Sequence, residues 1–529
     1  MKRTTAFWNE YSILKGSRVH YRSARKVKMK ILVGITPEWD NIRMDSSKRI
    51  SLLIGVLILA TFLRFYHLTT TPPGLFVDEA MDGNNAVEVH ETGQFKVFYP
   101  EFNGREGLYV NILALLFNVL PSKEPWVIRL PAAVAGVLTV LGVYLLVAEL
   151  FGDGPALLAA FLLATSFWHI IFSRIGFRAI LAPLLLTWSL WLLIKAFKAV
   201  SVAKASWGYA VLAGIVYALG FYTYIAYRIT PLLFLLFIPF FQKMPGFWKR
   251  VVVFVVVTFL VAAPIGWYFV KNPADFFGRM AQVSVTNSSN RLKQIALNTM
   301  KTLLMLNVHG DHNWRHNVSG APELFWPVGV LFVLGTLLSF CYLYDYRRRS
   351  KTQWSLFGVI ILFGWFVLAV LPAAASNEGI PHALRSILML PPAIIFAAIG
   401  GVWLFRHMKD RWGENIAHSL AFIFLASVAV FAYADYFSIW AGNPNVPDAF
   451  NASYVEIGNR INALPPAVPK YVVVGPQGTI ARDILMNAET TMYITGSFTT
   501  QDQTKKNIHY VLPDNASSIP AQADVFYIK

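Results

Sequence analysis

The chain has 529 residues, of which 56 % are hydrophobic and 14 % charged, and its mean hydropathy is +0.49. A soluble domain carries about 25 % charged residues, so a soluble globular protein, a disordered chain and a coiled coil are excluded. The formal charge of +17 is unevenly spread: residues 1–49 hold twelve Lys/Arg against four Asp/Glu, whereas 441–529 hold six against seven.

The basic segment 1–49 precedes the first apolar run, as the positive-inside rule expects of a cytoplasmic N-terminus, and no nucleic-acid partner is expected. Crossing a hydrocarbon core of about 30 Å takes about 17–25 apolar residues, and about eleven stretches qualify. They lie near 50–66, 127–149, 155–172, 179–197, 208–225, 229–241, 251–270, 323–345, 353–373, 386–405 and 416–438. With the N-terminus inside, the cytoplasmic connections are 150–154, 198–207, 242–250, 346–352 and 406–415, and all but the first are rich in Lys and Arg. The expected architecture is an all-α polytopic membrane protein, integral to the cell membrane, with a transmembrane unit over 50–440. Outer loops fall at 67–126 and 271–322, and a small extracytoplasmic α/β domain occupies 441–529. Within that domain Tyr471–Val474, Thr491–Thr495, Ile508–Leu512 and Asp524–Ile528 read as strands. Cys341 is alone, so no internal disulfide forms.

The first outer loop opens with two prolines, Pro72 and Pro73, that stop the preceding helix, and then carries Asp78, Glu79 and Asp82. A carboxylate there can act as a general base on a hydroxyl or hold a divalent metal; alternatively Asp78 or Glu79 caps a short helix over Glu79–His90. Asn103, Arg105 and Glu106 follow in the same loop, where Arg105 and Glu106 can pair with each other or with solvent. The apolar run Leu108–Leu120 has the length of a helix lying in the interface. In the second loop His309, Asp311, His312, Arg315 and His316 are close in sequence, but their spacing matches no strong metal motif. A solvated polar loop, or sugar and phosphate contacts, is expected there.

Arg129, Arg174, Arg178, Arg228 and Arg385 fall at outer ends of predicted spans, where the positive-inside rule disfavours cations. Each needs an anionic partner; outer-leaflet headgroups or snorkelling explain one or two of them, whereas five as a set point to a phosphate site, because a guanidinium fork binds phosphate oxygens bidentately. His169, beside Trp168, reads as a satisfied intramembrane histidine.

The order of these features resembles the GT-C glycosyltransferases, in particular the protein O-mannosyltransferase and aminoarabinose-transferase-like group that uses polyprenyl-phosphate sugars. The resemblance covers about 50–440. It is carried by Asp78-Glu79, by Asn103-Gly104-Arg105-Glu106, by Arg129-Leu130-Pro131 and by Ser173-Arg174 to Arg178. Tyr222-Thr223-Tyr224 to Arg228, Gly310-Asp311 with Arg315-His316-Asn317, and His382 to Arg385 complete it. The resemblance implies transfer of a sugar from a polyprenyl-phosphate donor, within membrane lipid, to an acceptor hydroxyl at the outer membrane face. Asp78 would be the base and Glu79 its support. Arg178 and Arg228, then Arg174, Arg385 and Arg129, would bind the donor phosphate. Asn103, Arg105, Glu106, Tyr222, Tyr224, Asp311, Arg315, His316 and His382 would contact acceptor or sugar. No metal ligand set and no required cofactor are expected, although a divalent metal remains possible. The run after Arg178, Ala179-Ile180-Leu181-Ala182-Pro183, departs from relatives that carry an acidic residue there. The sequence leaves the acceptor open, together with the alternatives of a lipid-linked sugar flippase and a glycan ligase using diphosphate donors.

Overall fold

A computed structural model describes residues 44–528 apart from 102–103, 121, 200–202, 286–289, 346–352, 378, 477–479 and 482–483. Most of the basic segment 1–49 and Asn103 lie outside the described residues. Among those described, nine helices are long and apolar enough to cross a membrane, beginning with Ser46–Phe65 and ending with Glu414–Trp440. The pair Asp153–Thr165 and Phe167–Ser173, bent by 60°, is long and apolar enough together to be a tenth, as a broken span or a re-entrant loop. The protein is an integral, multi-pass membrane protein.

The expected eleven continuous spans are therefore corrected at two places. At the bend after Thr165, the freed carbonyls are met by Arg64 of the first helix, which donates to Leu163 O at 3.3 Å and Ala164 O at 3.0 Å. Its Nη2 also lies 2.6 Å from His169 Nδ1, so the break is satisfied inside the bundle, and His169 is the partnered histidine the sequence suggested. The expected span 229–241 is a chain of short helical turns, Ile225–Ile229, Pro231–Phe234 and Phe237–Phe241, with Pro231 and Pro239 lacking the amide hydrogens a continuous helix needs.

Close packing uses small residues where backbones must meet. A Cβ on Gly335 would sit 1.8 Å from Phe396 O, and one on Gly400 2.2 Å from Leu331 O, which lets Trp326–Asp345 lie directly against Leu390–Trp412. At one end of the bundle, ion pairs link the connections: Arg49 with Asp153, and Lys195 and Lys198 with Glu149. The long loops meet each other and the C-terminal domain at the other end.

In the first long loop, Val77–Thr92 is a helix of sixteen residues and Leu108–Val119 one of twelve. At 1.5 Å per residue the second is about 18 Å long, too short to cross. Between them Phe98–Tyr99 pairs antiparallel with Arg105–Glu106. Gly104 makes that hairpin possible: its φ is +84°, and a Cβ would strike the Phe98 ring at 2.3 Å.

The C-terminal domain is α/β. Lys470–Val474 is the centre of a parallel three-stranded sheet between Ile508–Val511 and Asp524–Ile528. The expected strand Thr491–Thr495 is instead part of the helix Glu489–Thr495, ended by Gly496 in the left-handed region. Its threonines are buried, and Thr495 Oγ1 returns to Thr491 O at 2.8 Å, so tertiary burial overrides β-propensity. This helix docks on Val77–Thr92: Asn84 Nδ2 donates to Glu489 Oε2 at 2.7 Å, Thr490 Oγ1 donates to Leu75 O at 2.9 Å, and Met81 completes the apolar core of the domain.

Candidate active site

The helix Val77–Thr92 begins where the Pro72–Gly74 turn ends, and its first two turns carry three carboxylates with different fates. Glu79 is fully buried. Its Oε1 accepts from Arg129 Nε at 2.9 Å and from Gly176 N at 2.8 Å; its Oε2 accepts from Arg129 Nη2 and Phe76 N, both at 3.2 Å. Arg129 spends its remaining donors on Pro72 O at 2.6 Å and Gly74 O at 2.8 Å. Glu79 thus holds the helix N-terminus, as the capping alternative allowed, and Arg129 is buried with its donors on Glu79 and on backbone carbonyls.

Asp82 is buried beside Arg105, 3.1 Å away. Burial raises its pKa against the lowering influence of Arg105 and Arg178, while the nearby charges of Asp78 and Glu79 raise it further. Asp78 differs from both. It is half-exposed and forms no hydrogen bond or ion pair among the described residues, yet its charge is felt by Arg178 and Arg315. Arg315 lies over the Phe76 ring at 3.8 Å, and burial lowers its pKa against the raising influence of Asp78 and Asp311.

Glu106, held by the hairpin, is the anionic partner of two arginines: Oε2 lies 3.3 Å from Arg178 Nε and Oε1 3.3 Å from Arg228 Nη2. Arg228 also donates to Phe276 O at 2.9 Å and sits against the rings of Phe269 and Phe276. Next to it opens a cavity of about 500 Å³ lined mainly by apolar side chains, including Ile225, Ile229, Phe276, Leu371 and Pro372. Tyr224, Arg228 and Arg385 contribute its polar edge, with Arg385 bonded to Ser376 Oγ.

Two other candidates stand elsewhere. Arg174 is fully buried, donates to Leu63 O at 3.2 Å and Thr71 O at 2.9 Å, and packs on Tyr436 and Phe437, so it ties the end of the first helix to the bent pair. Tyr222 donates to Val261 O at 2.7 Å and faces a neighbouring helix. The second loop is solvated only in part: His309 and His312 are exposed, whereas Asp311 and His316 are buried, with Asp311 Oδ2 2.8 Å from His316 Nδ1 and 3.8 Å from His382 Nδ1. Sequence reasoning missed Arg64, Phe76 and the Asn84–Glu489 contact. Arg64 in particular was legible only as a cation at the end of the first apolar run.

Residues 107–268 match the family described as dolichyl-phosphate-mannose-protein mannosyltransferase. The fold is similar to that of ArnT from Cupriavidus metallidurans, solved bound to undecaprenyl phosphate, with TM-score 0.55 and 14 % identity over 88 % of this chain and 90 % of that one. The chain has the GT-C fold. The GT-C fold is shared with the oligosaccharyltransferase of Archaeoglobus fulgidus in the apo form, at TM-score 0.53 and 16 % identity over 85 % of this chain, which spans 64 % of that one. It is shared equally with AglB of the same organism in complex with an inhibitory peptide and a dolichol-phosphate, at TM-score 0.53 and 15 % identity over 84 % and 63 % of the two chains. No curated protein sequence matches the chain.

Proposed function

We propose that this protein is a glycosyltransferase that moves a sugar from a polyprenyl-phosphate donor to an acceptor hydroxyl at the outer face of the membrane, with Asp78 as general base. The observation that carries this reading is the division of labour in the acidic pair. Glu79 is consumed by Arg129 and backbone amides, whereas Asp78 is half-exposed, has no hydrogen bond or ion pair among the described residues, and its charge is felt by Arg178 and Arg315. The apolar cavity edged by Arg228 and Arg385 suits a lipid tail with a phosphate head, and the bound undecaprenyl phosphate of ArnT and dolichol-phosphate of AglB support that assignment.

In this mechanism Asp78 takes the proton of the acceptor hydroxyl as its oxygen attacks the anomeric carbon. The bond between that carbon and the phosphate oxygen breaks, and the polyprenyl phosphate leaves with its electron pair. Arg228 and Arg385 meet the charge that grows on the phosphate, a preorganised electrostatic role. Arg178, positioned by Glu106, borders the reacting centre. Arg105, Tyr224 and Arg315 are the nearest candidates for sugar or acceptor contacts. The step needs no metal on Asp78. The orientation follows the positive-inside count: the cation-rich connections face the cytoplasm, so the loops and the 441–529 domain face out.

The reading is tested by presenting a panel of polyprenyl-phosphate sugars to membranes containing the protein. Transfer from one of them is expected, with inverted anomeric configuration in the product by NMR; a retained configuration overturns single displacement. Absence of transfer from the whole panel, with the protein abundant and folded, would favour diphosphate donors or a flippase. Arg385→Ala removes a charge-assisted contact to the donor phosphate and is expected to raise the donor KM about 10- to 100-fold. An unchanged donor KM would move the phosphate away from this cavity.

A further inference from the structure

We propose that Asp311, His316 and His382 form a zinc site that pins the 309–323 loop to the turn carrying Arg385. Each offers one ligand atom, and the three atoms lie within 4.8 Å of one another. A tetrahedral zinc bound at about 2.0–2.2 Å by nitrogen and oxygen draws its ligands from about this range of separations with only small rotations of the side chains. The donor set itself selects the metal: two imidazoles and one carboxylate suit zinc, whereas magnesium and calcium prefer all-oxygen cages.

The carboxylate is built to stay in place. Asp311 Oδ2 accepts from the Ala383 amide, 72 residues along the chain, at 2.8 Å, and Oδ1 accepts from Asn313 N at 2.8 Å. Such backbone bonds orient a ligating carboxylate. The Asp311 amide in turn donates to the buried Glu323 at 3.1 Å. His382 is the informative member. Its ring lies 5.0 Å from that of His316, and its Nδ1 stands 3.8 Å from the same Asp311 oxygen that His316 already engages. An ion pair between Asp311 and His316 would need no second imidazole at this position. With three protein ligands the fourth position is left to water.

The consequence for the enzyme is positional. Arg315 lies within the Asp311–His316 turn and reaches Phe76 beside Asp78, while Arg385 follows His382 and reaches the cavity. One ion would therefore set the placement of two arginines without touching substrate. The inference does not depend on the sugar-transfer reading, because its test is metal content and stability.

The full-length chain, purified in detergent, equilibrated with zinc and desalted, is expected to hold about one zinc per chain by elemental analysis. Chelation is expected to lower its thermal midpoint, and zinc, but not magnesium, to restore it. His382→Ala should bind zinc at least about tenfold more weakly and lose the zinc-dependent shift, while His309→Ala and His312→Ala, which change exposed histidines, should retain both. Substoichiometric zinc in the wild type reduces the triad to a hydrogen-bonded ion pair and overturns the site, a result that requires no variant to fold. Zinc lost with His309 or His312 instead, and kept with His382→Ala, overturns it equally.

Discussion

Asp78→Asn is expected to lower sugar transfer by about 10²- to 10⁴-fold while leaving the protein folded and its donor KM close to that of the wild type. The size follows from the role: a positioned base contributes in the transition state, so its loss appears in kcat. The mildness toward the fold follows from the structure, since Asp78 is half-exposed and supports no hydrogen bond or ion pair among the described residues. The amide is nearly isosteric, so the Asp82–Arg105 pair and the Glu79 hub remain. The measurement is initial transfer rate against donor concentration in membranes, with thermal unfolding as the folding control. Full activity in Asp78→Asn would remove Asp78 from the chemistry and leave Asp82, buried and paired, as a poor substitute.

Glu79→Ala is expected to act through stability, by about 3–5 kcal/mol, the cost of stranding a buried charge when its partner is removed. Arg129 would keep its bonds to Pro72 O and Gly74 O but lose both carboxylate oxygens, and the amides of Phe76 and Gly176 would lose their acceptor. A strong drop in the thermal midpoint and in the yield of folded protein is the expected readout. Glu79→Gln, which keeps an acceptor oxygen and gives up the charge, should fall between. A midpoint unchanged in Glu79→Ala would mean that Arg129 is neutralised by something other than Glu79. The contrast between the two neighbours is the sharpest available test: Asp78→Asn should fail in catalysis with an intact fold, Glu79→Ala in folding first.

The two adjacent carboxylates show how much of the site was legible in the chain. Their presence in a long loop after a proline-stopped helix, and the cluster of arginines at span ends, were visible as residues. Their roles were not. A guanidinium near the outer end of a span looks the same in sequence whether its partner is a lipid phosphate, a carboxylate or a row of backbone carbonyls. Arg129 and Arg174 took protein partners, Arg178 and Arg228 share Glu106, and Arg385 reached the cavity. Those pairings close over 50 to 122 residues, far beyond any local pattern. The helix Glu489–Thr495 failed for a related reason: β-branched threonines read as a strand until packing on Val77–Thr92 is known.

The sequence by itself determined the membrane class and nearly all the long apolar helices, because hydropathy, proline and charge asymmetry are local properties that a bilayer reads directly. Only the tertiary structure decided which carboxylate is free, which arginines reach the cavity and which imidazoles converge on Asp311. Those are outcomes of desolvation and pairing. A buried charge must find a partner, and that partner is supplied by whichever distant segment the fold brings within hydrogen-bonding reach.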